Sequence, residues 1–119
     1  MNTSAIGTQG EQEALDYLQK QGYKLLARNY RVKGGEIDLI MQDKKTLVFV
    51  EVKTRASAIF GGPLGAITAA KQKRISLAAA LFLKTNRLKF DSIRFDAVAI
   101  LAREITHVKN AFIPPRTLL

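Results

Sequence analysis

Hydrophobic and polar residues alternate at the charged ends of two neighbouring segments near the middle of the chain. The segments GGEIDLIMQ and TLVFVEVKT are separated by Asp43-Lys44-Lys45. Because side chains of a strand alternate between its two faces, each segment predicts a β-strand, and the short polar break between them predicts a hairpin. The second segment, Thr46 to Thr54, is apolar on both faces, which is typical of a strand at the centre of a sheet.

The rest of the pattern predicts two helices and two or three further strands around this hairpin. A helix begins at Thr8 or Gly10 and stops at Gly22, a strand runs from Tyr23 to Tyr30, and a second helix spans about Thr68 to Lys84. A strand follows at Ser92 to Leu101, and Glu104 to Phe112 leaves room for a short fifth strand. Gly34 and Gly35 predict a tight turn before the second strand. This order of elements predicts an α/β sandwich built around a mixed sheet.

Length and charge narrow the class of protein. The 119 residues fit one domain, residues 1–119, and 19 Lys and Arg against 10 acidic residues give a net charge of +9. Such an excess favours a polyanionic partner, nucleic acid above all. The absence of cysteine excludes disulfides, thiolate nucleophiles and cysteine zinc sites. No targeting segment or long apolar run stands out, so we expect a cytoplasmic protein without a membrane partner.

Four charged side chains fall near the ends of the two central strands: Glu36, Asp38, Glu51 and Lys53. If Lys44-Lys45 forms the turn, antiparallel pairing sets Asp38 opposite Glu51. Glu36 then lies opposite Lys53, and all four heads share one face. Two opposed carboxylates destabilise a strand pair unless a positive partner joins them, and a metal ion is such a partner.

Other interpretations of these four residues remain open. Glu36 and Lys53 could form an ordinary cross-strand salt bridge. One additional loop residue would turn one strand over and leave Asp38 and Glu51 facing solvent. Elsewhere, the alternation of Arg94 and Asp96 predicts an ion pair, and His107, the single histidine, is predicted at the surface.

Several motifs of the chain resemble those of a known nuclease superfamily. Glu36-Ile37-Asp38, followed by Glu51-Val52-Lys53, is similar to the D-(x)n-E-x-K core of the restriction-endonuclease-like, PD-(D/E)XK nucleases. GEIDLI, VFVEVKTR, FGGP and RFDAVAI more closely resemble the YraN-like bacterial family, which is similar to archaeal Holliday junction resolvases. The likeness runs from about Gly7 to Ile100, and Leu64-Gly65-Ala66 departs from the expected loop pattern.

The resemblance implies a fold and a set of catalytic residues. The fold would be a restriction-endonuclease-like three-layer sandwich, with a mixed sheet flanked by helices. Asp38 and Glu51 would be metal ligands, and Lys53 would activate water or stabilise the phosphate, with Glu36 in the same catalytic patch. Glu11 matches an acid of the first helix that approaches the metal, although an acid at a helix start is also explained by the helix dipole. Resolvase-like relatives also imply a homodimer.

The chemistry of these residues agrees with the implied site. Mg²⁺, or Mn²⁺ in its place, prefers oxygen ligands, which Asp38, Glu51 and the backbone carbonyl of Val52 could supply. Lys53 beside them suits phosphodiester hydrolysis. Basic residues flank the predicted cleft and would hold a nucleic-acid backbone: Arg31, Lys33, Arg55, Lys71 and Arg74. Those on the second helix would equally form an ordinary solvated face.

The residues and the resemblance together predict a metal-dependent endonuclease, with DNA favoured over RNA as the substrate. The resemblance to resolvases implies branched or structured DNA. Two alternatives stay open. The chain could be a nucleic-acid-binding module of the same fold that does not cleave, or a basic scaffold that binds an acidic protein partner.

Overall fold

Two helices and five strands form the structure. The computed structural model describes residues 3–54, 67–87 and 89–114, and in the first helix it describes side chains from Gln9 onward. The elements are α1 (Thr3–Lys20), β1 (Lys24–Val32), β2 (Gly35–Asp43), β3 (Thr46–Lys53), α2 (Ala69–Thr85), β4 (Ser92–Leu101) and β5 (Glu104–Val108).

The strands form one mixed sheet in the order β1-β2-β3-β4-β5. All neighbouring strands are antiparallel except β3 and β4, which are parallel. A parallel pair needs a crossover between its strands, and α2 lies in that connection. The predicted central position of the third strand is confirmed, because two strands lie on each side of β3.

Each face of the sheet packs against one helix. On one face, Ala14, Leu15 and Leu18 of α1 join a buried cluster with Val48 and Val50 of β3. On the other face, α2 packs against β3 in a second buried cluster. This cluster includes Ile75, Ala78, Ala79 and Phe82 of α2 and Leu47 and Phe49 of β3. The sheet therefore lies between two helical layers, and the predicted α/β three-layer sandwich is confirmed.

The β2–β3 hairpin has the predicted register. Asp43 pairs with Thr46 around the two-residue turn, and Leu39 pairs with Val50 further along. Lys44 has a φ of 56°, so the first turn residue adopts the left-handed conformation that such tight hairpins require. Continued by one residue, this register faces Asp38 toward Glu51 across the strands.

Close packing against β2 sets the position of α2. Thr68 caps the helix by accepting a 3.2 Å hydrogen bond from the backbone N–H of Lys71. A Cβ on Gly35 would lie 2.5 Å from the carbonyl oxygen of Arg74 and 3.1 Å from the backbone nitrogen of Ala78. The missing side chain of Gly35 therefore lets the helix approach the start of β2 directly.

Several element boundaries differ from the sequence predictions. α1 begins at Thr3 rather than at Thr8 or Gly10, because apolar periodicity marks only the packed part of a helix. β1 starts one residue later than predicted and continues to Val32, with an irregular step between Leu25 and Ala27. β5 ends at Val108, since the chain turns at residues 109–110.

None of the described helices is both long enough and apolar enough to span a bilayer.

Candidate functional site

Charged side chains gather at one end of the sheet, where β2 begins and β3 ends. Asp38 lies on β2 and Glu51 and Lys53 lie on β3, all near the first turns of α2. The residue before Glu51 along the same face, Phe49, belongs to the buried cluster under α2. The apolar row of β3 thus becomes ionic at its end, as the sequence predicted.

The carboxyl groups of Asp38 and Glu51 form a hydrogen-bonded pair. The Glu51 side chain is 6% exposed, and burial, followed by the charge of Asp38, raises its pKa to about 8 against the lowering effect of two lysines. Burial also raises the pKa of Asp38, although the hydrogen bonds from Val52 and Glu51 act in the opposite direction. At neutral pH Glu51 therefore keeps its proton, and its O–H donates a hydrogen bond to the Asp38 carboxylate.

Two lysines lie beside the Glu51 carboxyl group. Lys71 Nζ is 3.6 Å from Glu51 Oε1, and Lys53 Nζ is 3.9 Å from the same oxygen. Lys53 reaches it from two residues further along β3, whereas Lys71 reaches it from the first turn of α2. The structure thus brings the predicted Lys53 to the carboxylate pair and places Lys71 equally near.

Glu36 lies at the edge of the site within a ring of three cations. Its carboxylate is 3.7 Å from Arg31 Nε, 3.9 Å from Lys71 Nζ and 3.6 Å from Arg74 NH2. Lys71 is shared between Glu36 and Glu51, so it connects the carboxyl pair to the exposed basic edge. Glu36, Glu51 and Lys53 are thereby joined with Arg31, Lys71 and Arg74 in one network of ion pairs.

Glu11 of α1 approaches the same group from the other helix. Burial raises the pKa of Glu11, and the nearby charge of Asp38 raises it further. The Asn29 side chain hydrogen-bonds to Glu11, and Asn29 has a φ of 52° inside β1. Sequence reasoning missed this residue, although an asparagine between strand residues is a recognisable signal for the left-handed conformation.

Gly10 explains how α1 comes so near to the end of β3. A Cβ at this position would collide with the side chain of Thr54, the residue after the strand. The helix and strand end therefore touch directly at Gly10, and the following residue, Glu11, is brought toward Asp38.

The donor set matches what Mg²⁺ accepts. Val52 N donates a 2.8 Å hydrogen bond to Asp38 Oδ2, and because the N–H and C=O of one strand residue point to the same side, the Val52 carbonyl also faces β2. In the described ranges, no three or more His, Asp or Glu side chains form a metal-binding group. Mg²⁺ typically binds one or two carboxylates and keeps several waters, so two carboxylates with a carbonyl are compatible with it.

The other predicted features lie in the β1–β2 turn or outside the described residues. Lys33 is exposed in the turn between β1 and β2, close in sequence to Arg31. Arg55, the FGGP motif and Leu64-Gly65-Ala66 lie outside the described residues.

A second polar cluster lies on the α1 face of the sheet. Arg94 Nε and NH2 donate to Asp96 at 2.8 and 3.0 Å, which confirms the predicted ion pair. The prediction for His107 was wrong, because its side chain is only 6% exposed. His107 Nε2 lies 2.7 Å from Asp96 Oδ2, and its ring packs edge-on against Tyr17 and Tyr23. Position near the chain end had suggested exposure, but β5 pairs with β4 and turns the imidazole inward.

Comparison with known proteins identifies close relatives across most of the chain. The model of "Uncharacterised protein family UPF0102" matches residues 10–100. The UPF0102 protein of Herminiimonas arsenicoxydans is 53% identical over 106 residues, which cover 89% of this chain and 85% of that protein.

Relatives from other bacteria show the same extent of similarity. The UPF0102 protein of Pseudomonas entomophila is 49% identical over 92% of this chain and 94% of its own length. That of Trichlorobacter lovleyi is 46% identical, with 91% and 90% covered. The family model covers the chain from Gly10 in α1 to Ile100 in β4. Because the match extends over most of the chain, this protein belongs to the UPF0102 family.

Proposed function

We propose that this protein is a metal-dependent endonuclease that hydrolyses phosphodiester bonds in DNA. Branched or structured DNA is the substrate class favoured by the resemblance to resolvases. The observation that carries the proposal is the carboxyl pair of buried Glu51 and half-buried Asp38, with Lys53 and Lys71 within 4 Å of Glu51. A purely structural role would not require two carboxyl groups to be drawn together and partly buried at a charged sheet end.

Divalent metal binding would resolve the electrostatic conflict within this pair. Asp38, Glu51 and the Val52 carbonyl are the residues that would hold Mg²⁺ or Mn²⁺. The bound cation would supply Lewis acidity, which polarises a phosphoryl oxygen and lowers the pKa of water. Glu51 must release its proton to become a ligand, so binding of the metal is coupled to loss of a proton.

The lysines and arginines have separate roles in this proposal. Lys53 lies two residues after Glu51 on β3, and it orients the attacking water or stabilises negative charge on the phosphate. Lys71, which lies between Glu51 and Glu36, would bind substrate phosphate beside the residues that would hold the metal. Arg31, Lys33 and Arg74 contact the nucleic-acid backbone outside the reacting group without reading its sequence. Glu11 would approach the metal from α1, as the resemblance to resolvases implies.

A cleavage assay with matched variants tests the proposal. The protein is incubated with single-stranded, duplex and four-way-junction DNA in Mg²⁺ or Mn²⁺, alongside Asp38→Asn and Lys53→Ala. Asp91→Asn and Lys89→Ala are the charge-matched controls, since both residues are exposed and lie away from the site. We expect cleavage by the parent and both controls, and its loss in both site variants. Cleavage that persists in Asp38→Asn would overturn the assignment.

A non-cleaving nucleic-acid-binding module is the second candidate. It is favoured by the net charge of +9 and by the basic edge formed by Arg31, Lys71 and Arg74 around Glu36. Salt-sensitive DNA binding without cleavage in either metal would establish this function. If DNA did not bind even at low salt, a scaffold that meets an acidic protein would be the remaining alternative.

A further inference from the structure

A cleft on the α1 face is separate from the carboxyl pair. It has a volume of about 660 Å³ and is lined by Tyr17, Gln21, Tyr23, Asp43, Lys44, His107 and Lys109. Small-molecule sites in proteins commonly measure about 300–1,000 Å³. The side chain of Asp96 beneath it belongs with Val50 on this face, because these two residues pair in the parallel register of β3 and β4.

The two ring nitrogens of His107 differ in their contacts: Nε2 hydrogen-bonds to Asp96, whereas Nδ1 does not. Asp96 is fully buried, and although burial alone would raise its pKa, hydrogen bonds from His107 and Arg94 hold the pKa below its ordinary value. An ionised carboxylate only accepts hydrogen bonds, so His107 Nε2 must be the donor. Nδ1 then carries the lone pair in the neutral ring, and it has no hydrogen-bond partner among the described residues.

Asp43 and Arg94 are the other charged residues of this cluster, and they form an ion pair. Arg94 donates to Asp96 and, at 2.7 Å, to the Tyr23 hydroxyl, and its NH1 lies 3.7 Å from Asp43 Oδ2. Arg94 is thus one cation shared by two carboxylates, those of Asp43 and Asp96. Lys44 and Lys109 are both exposed on the rim and leave an excess of positive charge there.

These groups fit the parts of one kind of ligand. We propose that the cleft binds a nucleotide, with the base or ribose against Tyr17 and His107 and the phosphate between Lys44 and Lys109. Tyrosine rings suit stacking or edge contacts with a base, and the His107 Nδ1 lone pair accepts from an amino or hydroxyl group. The Gln21 amide offers both a donor and an acceptor to a base edge. The nucleotide could be free or the phosphorylated end of a nucleic-acid strand.

Nuclear magnetic resonance of the imidazole tests this proposal directly. His107 is the single histidine, so the untagged protein gives one set of imidazole ¹H–¹⁵N signals. The probes are AMP, adenosine, inorganic phosphate and a short 5′-phosphorylated single strand. We expect saturable shifts of the His107 signals with AMP, and weaker binding of adenosine and of phosphate alone. A strand that binds more tightly than AMP and is displaced by it identifies strand ends as the source, whereas binding of AMP alone identifies free nucleotide.

Surface variants keep the test independent of folding. Lys109→Ala and Lys44→Ala alter exposed side chains and retain the His107 reporter, and each should weaken AMP binding about tenfold through loss of a charge-assisted contact. Asp38→Asn, in the carboxyl pair, should leave AMP binding unchanged, so failure of the nuclease proposal does not affect this one.

Three results would overturn the nucleotide site. The first is no saturable shift with AMP or the strand up to about 10 mM, which corresponds to a binding free energy weaker than about −3 kcal/mol. The second is unchanged AMP affinity in the Lys44→Ala/Lys109→Ala double variant. The third is equal affinity for inorganic phosphate and AMP, which would reduce the site to a simple anion contact.

Discussion

The backbone N–H of Val52 donates a 2.8 Å hydrogen bond to Asp38 Oδ2. At this end of the β2–β3 hairpin, the Val52 N–H therefore bonds to a side-chain carboxylate and not to a backbone carbonyl of β2. The hydrogen bond orients Asp38 while leaving its other oxygen for Glu51 or a cation. One backbone amide therefore links the hairpin register to the geometry of the proposed metal site.

Magnesium should stabilise the protein, and the effect should depend on Asp38. Because a ligand that binds only the folded state raises stability, a concentration about ten times the dissociation constant adds about 1.4 kcal/mol. For a chain of this size that corresponds to a rise of a few degrees in Tm. Asp38→Ala should lose most of the rise, as measured by thermal melts with and without Mg²⁺. Asp91→Ala is the matched control and should keep it.

The stabilisation by magnesium should also be larger at pH 8.5 than at pH 6.5. Glu51 has a pKa near 8, so at the lower pH the metal must displace a proton that is tightly held, whereas at the higher pH most molecules have already lost it. Isothermal titration in buffers of different ionisation enthalpy would count the released protons. A magnesium affinity independent of pH over this interval would contradict the role of Glu51 as a ligand.

Without metal, the free energy of unfolding should fall as pH rises from about 4.5 to 8. The folded state keeps the Glu51 proton up to a pKa of about 8, whereas the unfolded chain loses it near the ordinary value of 4.5. The native state thus binds more protons across this interval, and stability decreases by up to about 1.4 kcal/mol per pH unit. Denaturant titrations in EDTA measure the slope.

Variants separate Glu51 from other acids in this pH dependence. Glu51→Gln should flatten the slope and be more stable than the parent at pH 8, since the amide carries no charge to bury. Glu104→Gln changes an exposed acid and should leave the slope as it is. A parent protein whose stability is constant from pH 5 to 8 would show that the Glu51 proton is not retained.

Gly35→Ala should destabilise the protein and impair the site together. The new methyl group would lie 2.5 Å from the Arg74 carbonyl oxygen. Because this oxygen belongs to the helix backbone, the clash can be relieved only if α2 shifts. Overpacking of this kind costs about 1–3 kcal/mol. Displacement of α2 would also move Lys71 away from Glu51. Chemical denaturation measures the loss, and Lys73→Ala on the exposed side of α2 is the control.

Removing the Asp96 carboxylate should be among the most damaging substitutions away from the sheet end. Asp96→Ala leaves Arg94 and His107 without their shared buried acceptor, and a broken buried ion pair costs about 3–5 kcal/mol. The depressed pKa of Asp96 also means that its contribution is present above the unfolded pKa and is lost as pH falls through the folded one. Urea titrations of the variant check the magnitude, and a loss below 1 kcal/mol would be inconsistent with this network.

The sequence alone determined the elements and the pairing at the centre of the sheet. Period-two alternation located β2 and β3, and the two-residue break at Lys44-Lys45 determined a register that faces Asp38 toward Glu51. These are local properties, because side-chain direction and turn length follow from the chain over a few residues. The same reasoning identified the Arg94–Asp96 pair, whose members lie on one side of a single strand.

Contacts between distant segments were decided only by the tertiary structure. Lys71 meets Glu51 because α2 crosses closely over Gly35, and Asn29 meets Glu11 because α1 touches the end of β3. His107 is buried because β5 pairs back onto β4 and brings it to Asp96. Periodicity shows which face of an element is buried, but the partner on that face depends on how whole elements pack, which is not encoded in any single segment.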